Sequence, residues 1–391
     1  MHVAIVTYHF LPRLGGVEVA VHELATALSA LGLEVSVVAP QAGLDGRLAY
    51  RLVPLPPWRG VPRWVRTYAA LASLYRRSPY AVVHAQMLYP TAYEVARFCR
   101  WKAIPLVVSP QGADIHVYEP LGYGMRLQAR LERRIRTAVR RATVVTVSSR
   151  LMCREVALLD PEAAERAVYV PNGTWTERFR GYDRQELRHR FGVQPEETVF
   201  ITVSRNSPIK GLPLLLRAAQ TLAAEFPRGW RLWVLGVGTQ ELAGEVATGR
   251  LPVEFLGQVP MEYRSEGVPV QPPTALVQRL LAADVYVAPA FSGGFELSCA
   301  DAFAAGLPLI ICRANGAQDL VQDYGAGIVI PPANEAALVE ALRRMLLQQE
   351  ERQAMRQRAY EVAQQLDWKA IAERCRQLYE DLSALRRLRH G

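Results

Sequence analysis

The sequence has few cysteines, few lysines and no long hydrophobic run. Cysteine occurs five times, at widely separated positions with no CxxC pair, and this pattern disfavours a disulfide framework or a zinc site. No uninterrupted apolar stretch is long enough to cross a bilayer. The short apolar run at residues 3–7 lacks the basic lead of a signal peptide, so we expect a cytoplasmic protein.

The charged residues are unbalanced towards positive charge. The formal net charge is +9, which predicts an anionic partner but does not by itself distinguish a nucleotide, a nucleic acid and a lipid surface. Lysine occurs only at positions 102, 210 and 369, and arginine supplies the other 43 of the 46 basic residues. Because arginine outnumbers lysine so strongly, a lysine indicates a position where a compact ammonium group is needed.

The length of 391 residues favours two domains over one core. In both halves, short apolar runs alternate with residues at helical spacing, which predicts an α/β fold with two doubly wound, parallel-sheet, Rossmann-like domains. We place the first at residues 1–172 and the second at residues 173–367, and we expect the helical tail at 368–391 to pack back on the first. Sheets of this kind bind ligands beyond the carboxyl ends of their strands.

The strongest candidate site is the stretch PAFSGGFELSCADAFAAGLP at residues 289–308. A predicted strand precedes its glycines, and a predicted helix follows from Leu297 to Ala305. Unpaired N–H groups in the first helical turn and approachable glycines together favour a phosphate group. Asp301 lies one turn further along the same helix face, where its carboxylate could accept hydrogen bonds from sugar hydroxyls. This combination suits a sugar nucleotide, although glycine-rich turns of this kind also occur without a ligand.

Two more loops of the second domain carry suitable groups. The loop SRNSPIKGL places Arg205 and Lys210 before a predicted helix, where two fixed cations would neutralise a diphosphate. The alternative interpretation is a pair of solvated charges. Gly236 and Gly238 form a GxG loop after the following strand, and glycines let another group approach the main chain closely.

In the first domain, Gly15 and Gly16 lie between the first predicted strand and the first predicted helix. This loop is at the carboxyl end of its strand, where open parallel sheets bind ligands. Its sequence is not GxGxxG, so it gives no support to a nicotinamide or flavin site.

Taken in order, several segments resemble the retaining glycosyltransferases of family 4 over essentially the whole chain. They are FLPRLGGVE, SPQGAD, VPNG with Phe179, RNSPIKG, LGVG, EFLG and FELSCADAFAAGLP. The resemblance implies the GT-B architecture, in which two Rossmann-like domains face each other across a cleft. It implies transfer of a sugar from a UDP- or GDP-sugar to a glycan or lipid-linked acceptor, with retention at the anomeric carbon. It also implies no cofactor and no essential metal.

The resemblance assigns roles to the candidate residues of the second domain. Arg205 and Lys210 match the pair that binds the donor's diphosphate in this family. Main-chain groups near Phe295 and Leu297 would add to that contact. Asp301 matches the second acid of the family's Glu-x7-Glu motif and would hold the ribose.

Two positions depart from the family pattern, and both concern the transferred sugar. The first acid of the Glu-x7-Glu motif falls at position 293, which is Gly, and the nearest acid is Glu296. The family's His-Gly-x-Asp segment reads QGAD at residues 111–114, and glutamine does not exchange a proton near neutral pH. We therefore assign the catalytic contacts to Glu296 and Gln111, and we expect His116 to be a solvated loop residue.

The first domain should present the acceptor, with the glycine loop at residues 15–16 closing over the donor. Residues 58–77 and 124–141 are arginine-rich segments with apolar stripes at helical spacing. Such segments suit docking on an anionic membrane surface, and they equally suit ordinary helices packed on a sheet. Both interpretations stay open from the sequence.

Two other functional classes are also open. The replacements at 111 and 293 suggest a catalytically impaired relative that binds a sugar nucleotide or a protein partner. The positive charge suggests a nucleic-acid-binding protein, but the sequence has no aromatic stacking platform and no RNA motif. We therefore expect a nucleotide sugar and its acceptor as partners, and no nucleic acid.

Overall fold

The structure is a computed structural model that describes residues 1–12, 15–40, 48–244, 251–264 and 268–390. The chain divides into two compact units. The first comprises Met1–Asn172, Tyr263–Val268 and Trp368–Gly391, and the second comprises Gly173–Glu262 and Pro269–Asp367. The predicted second domain includes Tyr263, Arg264 and Val268, whereas the structure groups them with the first unit.

The first unit is built on a sheet of seven strands. These are β1 (His2–Val6), β2 (Glu34–Ala39), β3 (Arg51–Pro54), β4 (Val82–Gln86), β5 (Leu106–Ser109), β6 (Val144–Val147) and β7 (Ala167–Tyr169). All neighbours pair in parallel, in the spatial order β3-β2-β1-β4-β5-β6-β7. Edge strand β3 was missed from the sequence because it is short and forms no long apolar run, and its four residues are exposed or only half-buried.

Helices connect most of these strands, because parallel neighbours need a crossover connection. They are α1 (Gly16–Ala30), α2 (Arg63–Arg77), α3 (Tyr93–Trp101), α4 (Ala129–Arg141), α5 (Arg150–Leu159) and α6 (Pro161–Glu165). The apolar stripes of α2 and α4 point into the core, where Leu71, Ile135 and Val139 are fully buried. These stripes therefore pack on the sheet, and Trp64 at the start of α2 remains 46% exposed.

The second unit has a sheet of six strands. These are β8 (Thr198–Val203), β9 (Trp230–Leu235), β10 (Val253–Gly257), β11 (Val285–Ala288), β12 (Leu309–Cys312) and β13 (Gly327–Ile330). They pair in parallel in the order β10-β9-β8-β11-β12-β13. Its helices are α7 (Arg184–Arg190), α8 (Leu212–Glu225), α9 (Thr274–Ala282), α10 (Leu297–Ala304), α11 (Gln318–Tyr324), α12 (Glu335–Leu347) and α13 (Gln349–Gln365).

Alternate residues of the second sheet enter different hydrophobic clusters. Ile201 and Trp233 belong to one cluster, and their neighbours Phe200 and Leu232 belong to the other. Side chains alternate between the two faces of a strand, so helices cover this sheet on both sides. Both arrays therefore have the doubly wound α/β fold that the sequence predicts.

The last helix, α14 (Trp368–His390), belongs to the first unit. Its buried residues recur three or four positions apart, at Ile371, Cys375, Tyr379 and Leu382, so one face is apolar. This face packs against α1 and β4. Within the ranges that the structure describes, no helix is both long and apolar enough to span a bilayer.

Candidate donor and sugar sites

In the second unit, the loop after β8 lies directly against the loop after β11. The amide of Phe291 donates a hydrogen bond to the carbonyl of Ile209 at 2.9 Å. Gly211 has a φ of +68°, and a Cβ there would lie 2.3 Å from the carbonyl oxygen of Pro289. Only glycine fits this conformation at this separation. The structure thus brings the segment that carries Lys210 next to the glycine stretch that begins α10.

Lys210 and Glu296 form an ion pair across these two loops. Their side chains are 21% and 12% exposed, so the pair is only partly solvated. Arg205 is exposed, and its guanidinium has no hydrogen-bond or ion-pair partner among the residues that the structure describes. Two cations and one carboxylate therefore occur on neighbouring loops at the carboxyl end of this sheet.

The GxG loop after β9 uses its glycines to contact the loop after β8. Gly236 has a φ of +133°, and a Cβ there would lie 1.9 Å from the carbonyl oxygen of Ser204. The amide of Asn206 donates to the carbonyl of Val237 at 2.8 Å, and Gly238 has a φ of +74°. The close approach at Gly236 thus holds the segment that carries Arg205.

The main chain at Phe295 is held by a residue that the sequence analysis did not single out. A Cβ at Gly316, in the loop after β12, would lie 2.5 Å from the amide nitrogen of Phe295. Phe295 is buried, and Leu297 begins α10 half-buried. At Gly293, where the family's first acid falls, a Cβ would meet nothing within 4 Å. A side chain at position 293 would therefore have room.

Asp301 lies deep in α10 and is hydrogen bonded within the unit. Its Oδ1 accepts from the hydroxyl of Thr174 at 2.6 Å, and the residue is only 8% exposed. Burial raises the pKa of Asp301 to about 7, against which the Thr174 hydrogen bond acts. Thr174 was not predicted, because it is 127 positions away and local spacing gives no sign of the contact.

In the first unit, Gly15 and Gly16 lie at the start of α1. Gly15 is the N-cap, and its carbonyl accepts from the amide of Val19 at 3.1 Å. The carboxylate of the buried Glu18 folds back to within 2.5 Å of where a Gly15 Cβ would be. Gly16 has open space around it. Residues 13 and 14 of the predicted FLPRLGGVE loop lie outside the described residues.

Gln111 follows β5 on a loop that Asp114 holds in place. The buried carboxylate of Asp114 accepts from the amides of Gln111 at 2.9 Å, Gly112 at 3.0 Å and Leu88 at 2.6 Å. These donors oppose the burial that raises the pKa of Asp114. The side-chain Nε2 of Gln111 donates to Oε1 of Gln86 at 2.6 Å. Gln86 is a further polar residue that the sequence analysis missed.

The expectation for His116 is wrong. The residue is 2% exposed, and burial, followed by the charge of Arg126, lowers its pKa to about 4. His116 is therefore a neutral interior side chain. The loop folds over it, and the amide of His116 donates to the carbonyl of Gly112 at 2.7 Å. Across the described part of the chain, no group of three or more His, Cys, Asp and Glu residues is placed to hold a metal ion.

Comparisons with known proteins agree with this architecture. A family model described as "Glycosyl transferases group 1" matches residues 183–362, and one described as "Glycosyltransferase Family 4" matches residues 14–178. The solved structure of Anabaena Alr3699/HepE in complex with UDP superimposes with a TM-score of 0.76, at 19% identity, over 98% of this chain and 100% of that one. At this identity the likeness concerns the fold.

Curated relatives point the same way. The D-inositol 3-phosphate glycosyltransferase of Nocardia farcinica is 31% identical over 209 residues, which are 54% of this chain and 46% of that protein. The enzyme of the same name from Acidothermus cellulolyticus is 26% identical over 360 residues, covering 85% of this chain and 78% of that protein. The chain thus spans about half the length of the first relative and more of the second.

The two parallel-sheet units and these matches define the class of protein, which is a glycosyltransferase of the GT-B architecture. Consecutive family models cover most of the sequence from residue 14 to residue 362. The chain belongs to glycosyltransferase family 4. The family expectation from the sequence is confirmed.

Proposed function

We propose that this protein transfers a sugar from a UDP- or GDP-sugar to a glycan or lipid-linked acceptor, with retention of configuration. The observation that carries the proposal is the contact between the loops after β8 and β11. This contact brings Lys210 next to the start of α10. Arg205 belongs to the same loop, and its guanidinium is exposed. A nucleoside diphosphate is the anion that such a set of cations and helix N-terminal amides would bind.

The proposed chemistry follows from where charge develops. When the bond between the sugar and the diphosphate breaks, negative charge grows on the leaving phosphate. Fixed cations stabilise that charge more strongly in the transition state than in the ground state, and this difference accelerates transfer. Arg205 would contact the phosphate oxygens as a planar fork, and Lys210 as a point charge.

Glu296 and Gln111 are the residues that we assign to the transferred sugar. Glu296 pairs with Lys210, so a diphosphate that recruits Lys210 would release the carboxylate towards a sugar hydroxyl. Gln111 would contribute an amide that bonds to hydroxyl groups without changing its protonation. We assign further contacts with the donor to the amides near Phe295 and Leu297, the glycine loops at 15–16 and 236–238, and Asp301.

A lipid-linked acceptor would lie at the inner face of a membrane. The buried stripes of α2 and α4 do not suit insertion, so we assign contact with an anionic surface to Trp58 and Trp64, which are 48% and 46% exposed, together with Arg59. Flotation with vesicles that contain anionic lipid, at low salt, tests this assignment. Failure of the protein to float would reject it.

The enzyme is separated from a sugar-nucleotide-binding relative by measuring binding and turnover together. A thermal-shift screen of UDP- and GDP-sugars should show one preferred donor, because a ligand at 100 times its Kd stabilises the folded state by about 2.7 kcal/mol. The preferred donor is then assayed for hydrolysis and for transfer. Binding without turnover across acceptors would favour the impaired relative, and no shift with any nucleotide would reject the donor site.

A further inference from the structure

A row of polar side chains runs through the interior of the first unit, from α14 to the loop after β5. Tyr379 Oη lies 2.6 Å from His84 Nδ1, and His84 Nε2 lies 2.6 Å from Ser109 Oγ and 3.4 Å from Gln86 Nε2. Gln86 Oε1 accepts the hydrogen bond from Gln111 Nε2. Tyr379, His84 and Gln86 are all fully or almost fully buried. We call these three residues the buried polar row.

Each bond in the row fixes the direction of the next. Because Gln86 Oε1 accepts from Gln111, the amide nitrogen of Gln86 is directed at His84 Nε2, which must then carry a lone pair. Burial lowers the pKa of His84 to about 3, so the imidazole is neutral, and a lone pair on Nε2 places its single N–H on Nδ1. In this tautomer the N–H donates to Tyr379 Oη, whereas in the opposite tautomer the Tyr379 hydroxyl would donate to Nδ1. Ser109 has a hydroxyl that can donate or accept, so it adapts to either direction.

Reversing one of these groups requires reversing all of them. A half-turn of the Gln111 amide exchanges its oxygen and nitrogen, so two like atoms would face each other at Gln86 unless that amide also turned. Gln86 could turn only if His84 moved its proton to Nε2. A buried polar group left without a complementary partner costs about 1–3 kcal/mol, which is enough to disfavour a partial reversal.

We propose that Gln86, His84 and Tyr379 are positioning residues that set the orientation of the Gln111 side-chain amide. Gln86 occupies one N–H of Gln111, which leaves its other N–H and its carbonyl oxygen for a sugar. The catalytic consequence rests on the proposed function, because it requires that Gln111 contact the donor's sugar. A glutamine needs such a row, since its two ends have nearly the same size and opposite hydrogen-bonding character.

The direct test measures the Gln111 amide itself. In the 15N-labelled full-length protein, the side-chain NH2 signals of Gln111 are assigned by their loss in Gln111→Met. These signals should shift in Gln86→Met and in Tyr379→Phe. Tyr80→Phe is the matched control, because Tyr80 is an equally buried tyrosine of the same unit whose hydroxyl donates to the carbonyl of Leu71. Unshifted Gln111 signals in both test variants would overturn the proposal, whether or not transfer is observed.

The kinetic test separates positioning from stability. Gln86→Met should lower kcat about 2- to 10-fold, the range that one hydrogen bond supplies, and should leave the affinity for UDP unchanged. Combining it with Gln111→Met should lower kcat no further than Gln111→Met alone.

The outcomes of the two tests are distinct. If Gln111→Met impairs transfer and Gln86→Met does not, the positioning role is wrong and the proposed function stands. If the wild-type protein neither binds nor turns over any nucleotide sugar, the proposed function is wrong, and the amide signals still decide whether the row orients Gln111.

Discussion

Replacing Glu296 with Gln should make the protein bind UDP more tightly while it transfers sugar more slowly. In the free protein, the Glu296 carboxylate occupies the Lys210 ammonium that we assign to the diphosphate. The substitution keeps the size of the side chain and removes the competing negative charge. The sign of the binding effect is opposite to that expected for an ordinary binding residue.

The magnitude follows from the burial of the pair. The side chains are 21% and 12% exposed, so their attraction is stronger than that of a surface pair, and a charge-assisted hydrogen bond contributes about 1.5–3 kcal/mol. In the wild-type protein the diphosphate itself pairs with Lys210 once Glu296 is displaced. Only part of the energy of the Lys210–Glu296 contact therefore appears as a difference in UDP affinity. We therefore expect the Kd for UDP to fall by about tenfold, which corresponds to about 1.4 kcal/mol. The value of kcat should fall because the sugar loses a charged contact.

Isothermal calorimetry with UDP and a transfer assay on the same preparation measure the two effects. Glu197→Gln is the matched control, because Glu197 forms an ion pair with Arg231 in the same unit at 14% and 19% exposure. That pair lies before β8 and at the start of β9, away from the carboxyl-end loops. Weaker UDP binding by Glu296→Gln, or equal changes in both variants, would refute the reasoning about Lys210.

Three other predictions concern single residues. Arg205→Ala should raise the Kd for UDP about tenfold with no change in Tm, because its exposed side chain has no partner to lose among the described residues, and a Tm drop would contradict this. Gly236→Ala should lower both Tm and UDP affinity, because its Cβ would lie 1.9 Å from a carbonyl oxygen, whereas Gly229→Ala, with open space at a φ of +88°, should lower Tm only slightly. Asp301→Asn should flatten the pH dependence of unfolding. The folded-state pKa of Asp301, about 7, lies above the unfolded value of 3.8, so the folded state binds the extra proton and wild-type stability falls as pH rises between these values. Chemical denaturation at pH 5 and pH 8 measures the free energy of unfolding of both proteins. The same pH dependence in wild type and variant would show that Asp301 does not hold a proton in the folded state.

The strands could be predicted from the sequence because a buried parallel strand is a short apolar run. The runs at residues 198–203, 285–288 and 327–330 predict strands from the sequence, and β8, β11 and β13 have these same bounds. Strand β3 has no such run and was missed. The family motifs indicated the candidate donor loops, because the local geometry of such a loop determines where its glycines and cations occur in the sequence.

The pairings within the candidate sites could not be predicted in this way. The contact between Lys210 and Glu296 joins residues 86 positions apart, and the contact between Gln86 and Gln111 joins the last residue of β4 to the loop after β5. Neither has a local sequence signal. His116 was predicted to be solvated because a histidine on a loop is usually exposed, and it is buried because the chain folds back over it. Burial of a loop depends on tertiary contacts, which spacing does not reveal.

The position of α14 also affects how the protein is made. During synthesis, β4 and α1 emerge from the ribosome long before α14, which packs on them and carries Tyr379. The nascent first unit therefore has an uncovered apolar surface while the whole second unit is translated, and the polar partner of His84 arrives last. The first unit can therefore reach its final fold only after α14 has been made, and not on completion of residue 172.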